Sequence, residues 1–182
     1  MTIGATCCVE TRSGRSRRAA APSRSEAESR ENKVANYLED FKPGQVFKHW
    51  PGRTISEVDN TWFTLLTMNT NPIHFDAKYA ASSQHGKCLV NGLLVLAIVV
   101  GMSVKDISET AIANLEYESA KHTGPSFAGD TLYSETTVLE VTPSTSKNDR
   151  GIVYVETRGF NQKNETIMML RRKVLIPRRP SK

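Results

Sequence analysis

Residues 59–76 read Asp59-Asn-Thr-Trp-Phe-Thr-Leu-Leu-Thr-Met-Asn-Thr-Asn-Pro-Ile-His-Phe-Asp76. After a short polar passage the chain continues Cys88-Leu-Val-Asn-Gly-Leu-Leu-Val-Leu-Ala-Ile-Val-Val-Gly-Met-Ser-Val104. The first stretch crowds Asn69, Asn71, Pro72 and His74 into a run where a helical pattern stops, and the proline disfavours a helical conformation at the residue before it. Polar side chains are thereby held on a constrained turn. In the second stretch, 14 residues from Leu89 to Met102 are almost all apolar, whereas crossing a bilayer takes about 20. This spacing predicts a core helix from Leu89 to Val104, apolar all round and so wrapped on most sides by other structure. Gly92, near its start, leaves backbone N–H groups open to a ligand oxygen.

Upstream, Ser56 and Asp59 form a capping-box pattern, and Val58, Trp62, Phe63 and Leu66 recur at helical spacing. A short helix therefore delivers the chain to Asn69, with the aromatic pair read as core. Before it, Val46–Trp50 reads as a strand, with a second piece at 53–55. Asp76 reads as the N-cap of a short helix running to Ser83. Downstream, Leu115 to Thr123 alternates, 124–130 is turn chemistry, and strand-like runs follow at 131–141, 152–160 and 166–176, joined by hairpin loops. Strands, one long buried helix and an antiparallel meander make an α+β layout in which a sheet wraps the helix. This is the hot-dog arrangement. A lone sheet of this kind leaves an unpaired edge, and a homodimer or higher homo-oligomer is the expected remedy.

At 182 residues the chain suits one domain, 34–177, preceded by an Arg/Ser/Ala-rich segment, 1–33, expected to be disordered, and followed by a basic tail, 178–182. The net charge of +5 is uneven: residues 1–33 carry seven basic and four acidic side chains, 171–182 six basic and none acidic, and 34–170 a balance of −4. Basicity at the ends alone argues against a nucleic-acid-binding core. Cys7, Cys8 and Cys88 show no metal-ligand spacing, so a reducing, cytoplasmic setting with no metal or other cofactor is expected. No signal-peptide or membrane-length apolar stretch is seen.

The run Met68-Asn69-Thr70-Asn71-Pro72-Ile73-His74, followed by Val90-Asn91-Gly92, resembles the MaoC-like dehydratases, the hot-dog group that includes the (R)-specific enoyl-CoA hydratases. That family's signatures are G-D-x-N-P-[LI]-H and V-H-G. Asn69 stands where the family has its catalytic Asp. Residues 62–76 are similar to the branch that contains the mesaconyl-CoA and itaconyl-CoA hydratases. The resemblance implies a lyase acting on an acyl-CoA or acyl-carrier thioester, with His74 and Asn69 at the catalytic positions and Asn71, Pro72, Asn91 and Gly92 near the substrate.

Adding water to an enoyl thioester needs a group that takes a proton from water, one that protonates the α-carbon, and donors for the enolate-like oxygen. His74 can act near neutral pH. Asn69 can hold water but cannot take its proton. Either His74 performs both transfers, or a second acid among Glu57, Asp59 and Asp76 has taken over. His49, His85 and His122 read as surface or loop residues. Three rivals stand beside the hydratase reading: a hot-dog thioesterase, a dehydratase of carrier-protein-bound chains, and a non-catalytic acyl-thioester-binding protein.

Overall fold

A computed structural model describes residues 36–180; the expectations for 1–33, Cys7 and Cys8 lie outside them. Six strands form one antiparallel sheet: β1 (Val46–Lys48), β2 (Arg53–Thr54), β3 (Ala113–His122), β4 (Thr131–Pro143), β5 (Arg150–Asn161) and β6 (Thr166–Pro177). Their order is β1-β4-β5-β6-β3, with β2 also paired to β4. Three helices precede the meander: α1 (Glu57–Leu66), α2 (Ala77–Ala81) and α3 (Gly92–Met102). The expected hot-dog arrangement is what the chain adopts, with α3 lying on the sheet's inner face.

Period-two alternation along β4, β5 and β6 sends every second side chain inward. Two apolar clusters result. One, with Leu94, Val95 and Val99 of α3, includes Leu132, Met168 and Leu170. The other sits under the turn at Leu38–Asp40 and includes Phe41, Phe47, Val155 and Val174. Gly159 permits the close approach of α3 to β5, since a Cβ there would stand 2.5 Å from Val99 Cγ2.

The same inward rows carry buried polar groups. His49, read from the sequence as a surface residue, is 1% exposed: Nδ1 donates to the Asp106 carboxylate at 2.7 Å and Nε2 lies 2.7 Å from Thr136 Oγ1. It follows Phe47 by two residues and so points the same way, into the core. Arg172 is buried beside the C-terminal end of α3, donating to Ser103 Oγ and Asn114 Oδ1, both at 2.8 Å. A cation there faces the negative end of the helix dipole.

Three expectations about the helices are corrected. The central helix begins at Gly92 rather than Leu89, because Val90 N–H pairs with Ser126 O and Asn91 caps the helix through its side chain; it ends at Met102, before a separate turn at Val104–Ser108. Nor is it wrapped on most sides. Leu93 is 57% exposed, and Ala97 and Gly101, four and eight residues on, are exposed with it, because a single sheet covers a single side. Trp62, expected in the core, is likewise 64% exposed, in a stripe with Val58, Leu65 and Leu66; Phe63 alone of the aromatic pair packs against the core. At the far end of β6, Arg178 and Arg179 return to Glu39 and Asp40.

Candidate functional site

The capping box at Ser56 and Asp59 starts α1 as the sequence predicts. Asp59 accepts from Ser56 N–H and Oγ, both at 2.8 Å, and from Arg53 at 2.7 Å. These bonds, the Ser56 backbone bond foremost, hold its carboxyl below the usual carboxylate range. Whatever stability Asp59 adds is present above its ordinary pKa and is lost as pH falls through the lowered one. This carboxylate closes the capping box that starts α1.

At the other end of α1, Met68 takes a left-handed conformation, φ 56°, and the chain reverses into the polar turn. Asn69 Oδ1 accepts from Asn71 N–H at 3.0 Å, and Asn71 Oδ1 accepts from Ile73 N–H at 3.2 Å. Pro72 opens the tight turn Pro72–His74, where its missing N–H costs nothing. Asp76 caps α2 by accepting from Tyr79 N–H at 3.0 Å. Of the three candidate acids, two are therefore spent on helix starts, and Glu57 remains.

His74 Nδ1 lies 2.8 Å from the Leu89 carbonyl oxygen. A carbonyl only accepts, so Nδ1 carries the hydrogen and Nε2 of the neutral ring keeps its lone pair. His74 lines a cleft of about 330 Å³ together with Glu57, Thr61, Lys87, Cys88 and Phe127. Lys87 Nζ stands 4.1 Å from the Phe127 ring centre, placing a cation on the wall of the cleft.

The geometry rests on Asn60, a residue the sequence reading passed over. Its side chain is buried and donates through Nδ2 to His74 O at 2.7 Å and Leu89 O at 3.1 Å, while Oδ1 accepts from Asn91 N–H at 2.8 Å. One amide thus ties α1, the site turn and the start of α3 together. Thr64, one turn further along α1, is also buried and accepts from Asn91 Nδ2 at 3.3 Å. A polar pair at i and i+4 on the inward side of a helix was the available signal.

Of the residues expected at the site, His74 lies in the cleft wall, while Asn69, Asn71, Pro72, Asn91 and Gly92 do not line it. Asn69 and Asn71 shape the turn. Asn91 is buried and caps α3, accepting from Leu93 N–H at 3.0 Å. Gly92, the first helical residue, donates its N–H to no described residue. His85 packs edge-on against Phe127, and His122 is exposed but lies against Gly92. Among the described residues no group of His, Cys, Asp and Glu could hold a metal ion, and no helix is long and apolar enough to cross a membrane.

The MaoC like domain family matches residues 40–159. The chain is 30% identical over 146 residues to a mesaconyl-CoA hydratase of Cereibacter sphaeroides, covering 80% of this chain and 42% of that protein. It is 33% identical over 144 residues to a beta-methylmalyl-CoA dehydratase of Chloroflexus aurantiacus, covering 79% and 41%. The chain thus spans less than half the length of these curated relatives. A solved structure of a MaoC-like dehydratase from Rhodospirillum rubrum superposes with a TM-score of 0.72 at 28% identity, covering 81% of this chain and all of that one.

Asn60→Leu keeps the number and branching of the side-chain heavy atoms but strands the Asn91 N–H, and a buried group left without its partner costs about 1–3 kcal/mol. Urea unfolding of the variant should show a loss of that size. An unchanged midpoint would mean that the amide does not hold the three segments.

Proposed function

The chain belongs to the MaoC-like domain family, and on that footing we propose that it is a carbon–oxygen lyase: a hydratase or dehydratase that adds or removes water across the double bond of a short, branched or carboxylated enoyl-CoA thioester. The observation that carries this reading is His74. Its Nδ1–H is committed to the Leu89 carbonyl, which leaves Nε2 as a base beside a cleft walled by Lys87 and Phe127. The names of the two CoA-linked relatives support the substrate class and favour CoA over a carrier protein. The absence of any carboxylate along α3 argues against a thioesterase, which would direct water to the carbonyl carbon.

In this reading His74 Nε2 takes a proton from water as the oxygen attacks the β-carbon, and the substrate extends beyond the cleft lining to the start of α3, where the N–H of Gly92, at the positive end of the helix dipole, holds the enolate-like oxygen. Asn69 has its Oδ1 engaged by Asn71 and offers water only its NH2. An aspartate there would give one carboxylate oxygen to Asn71 and keep the other for the water. That difference is what favours the second reading, a non-catalytic acyl-thioester-binding protein.

The uncovered stripes on α1 and α3, and the free edge of β3 with Leu115 and Tyr117 exposed, support assembly as a homodimer with the site near the contact. We infer a cytoplasmic setting, with neither nucleic acid nor membrane as a partner.

Wild type should hydrate mesaconyl-CoA, itaconyl-CoA or crotonyl-CoA, followed by loss of enoyl absorbance, and His74→Ala should lower kcat by about 10²- to 10⁴-fold without unfolding. Under the binding-protein reading wild type is inactive and Asn69→Asp creates activity; equal turnover by wild type and His74→Ala would overturn the mechanism. Sedimentation should give at least twice the 20.2 kDa chain mass, and an active monomer at micromolar concentration would rule out the dimer.

A further inference from the structure

Hydration needs two proton transfers, and the site turn supplies a single basic nitrogen. An amide has no useful basicity near neutral pH, so Asn69 cannot take the second role. Asp59 and Asp76 are held by the amides that they cap. Glu57 opens α1 on the exposed rim of the cleft.

A different side chain stands at the start of α3. His122 is the last residue of β3, and its imidazole lies directly against Gly92: a Cβ added there would stand 2.5 Å from Cε1, 2.9 Å from Nε2 and 3.0 Å from Nδ1. Position 92 must lack a side chain for the ring to rest where it does. The ring therefore sits beside the first helical residue, whose N–H is donated to no described residue. His122 is exposed, and neither ring nitrogen is hydrogen-bonded to a described residue. Neither core packing nor capping calls for a histidine at this point.

His74 is anchored three residues earlier, at the Leu89 carbonyl. Three residues of extended chain span at most about 11 Å, so two imidazoles flank one short segment that also carries the Gly92 donor.

We propose that His122 is the second proton-transfer group of the site, the acid that protonates the substrate α-carbon in place of the carboxylate that Asn69 has displaced; this rests on the hydratase reading. In hydration, His74 Nε2 removes one proton from water while the water oxygen bonds to the β-carbon. The π electrons move to the α-carbon and thioester, with the oxygen held by Gly92 N–H. The imidazolium of His122 then gives its proton to the α-carbon, forming the C–H bond. One water hydrogen stays in the new hydroxyl, the other leaves His74 to solvent, and solvent reprotonates His122. Dehydration is the reverse.

The test is the pH dependence of kcat for mesaconyl-CoA, itaconyl-CoA or crotonyl-CoA in wild type, His122→Gln and Glu57→Gln. His74 must be unprotonated, so the wild-type rate falls toward low pH; His122 must be protonated, so it falls again toward high pH. His122→Gln should lower kcat by about 10²- to 10⁴-fold, abolish the alkaline limb and keep the acidic one, with thermal unfolding unchanged. Added imidazole should restore part of the rate of a folded His122→Ala, which also decides the matter if the glutamine variant does not fold. An active wild type with a His122→Gln variant of equal rate and unaltered limbs overturns the proposal and leaves the hydratase reading standing. So does a Glu57→Gln variant that alone loses the alkaline limb, or a folded His122→Ala that imidazole does not rescue. A wild type that turns over none of the enoyl thioesters removes the hydratase reading and the role of His122 together.

Discussion

A single backbone carbonyl, that of Leu89, accepts from His74 Nδ1 at 2.8 Å and from Asn60 Nδ2 at 3.1 Å, and the site depends on that shared acceptor. The first bond selects the ring tautomer and aims the free nitrogen. The second fixes the carbonyl itself, because Asn60 is buried on α1 and its oxygen receives the Asn91 N–H that leads into α3. Hydrogen bonds of this kind are stronger away from water, and the cost of losing a partner is correspondingly higher. The turn from Asn69 to His74 is exposed or half-exposed along its length. Its order comes from its own asparagine bonds, from this buried amide, and from the bonds of Ile73 O and His74 Nδ1 to Leu89.

The architecture explains why the central helix can be apolar all round and yet be covered on one side. The sheet meets α3 through Leu94, Val95 and Val99, while Leu93, Ala97 and Gly101 look away. These last three residues and the stripe on α1 are the apolar residues left exposed on the two helices. Inside the sheet, Thr136, Thr157, His49 and Arg172 interrupt the apolar rows. Each is hydrogen-bonded to a partner on another element, apart from Arg172 Nε, so the polar interruptions link β4, β5, β6 and the residue after β1 to the segment that follows α3.

Much of this was legible from local pattern. The period of two in β4 to β6, the capping box at Ser56 and the cap at Asp76 are local signals, and the structure carries each of them. What local pattern could not supply was the identity of a neighbour distant in sequence. Leu89 and Val90 are as apolar as the helix they precede, and partners distant in sequence, Ile73 and Asn60 at Leu89 and Ser126 at Val90, hold that segment out of the helix. Trp62 and Leu93 look like core residues because apolar spacing along a helix does not say which of its faces the sheet covers. His49 was misread although its spacing from Phe47 placed it inward, and Asn60 was missed although Thr64 shared its face. The packing of His122 on Gly92 joins residues 30 apart, and no periodicity announces it.

The central claim is that the Leu89 carbonyl holds His74 as a base with its free nitrogen toward the cleft. Long-range 1H–15N correlation spectra of the imidazole, assigned by comparison with His74→Ala, measure this directly. The account predicts that neutral His74 is the Nδ1–H tautomer, with an Nε2 shift typical of an unprotonated ring nitrogen. A neutral ring protonated at Nε2 would contradict it.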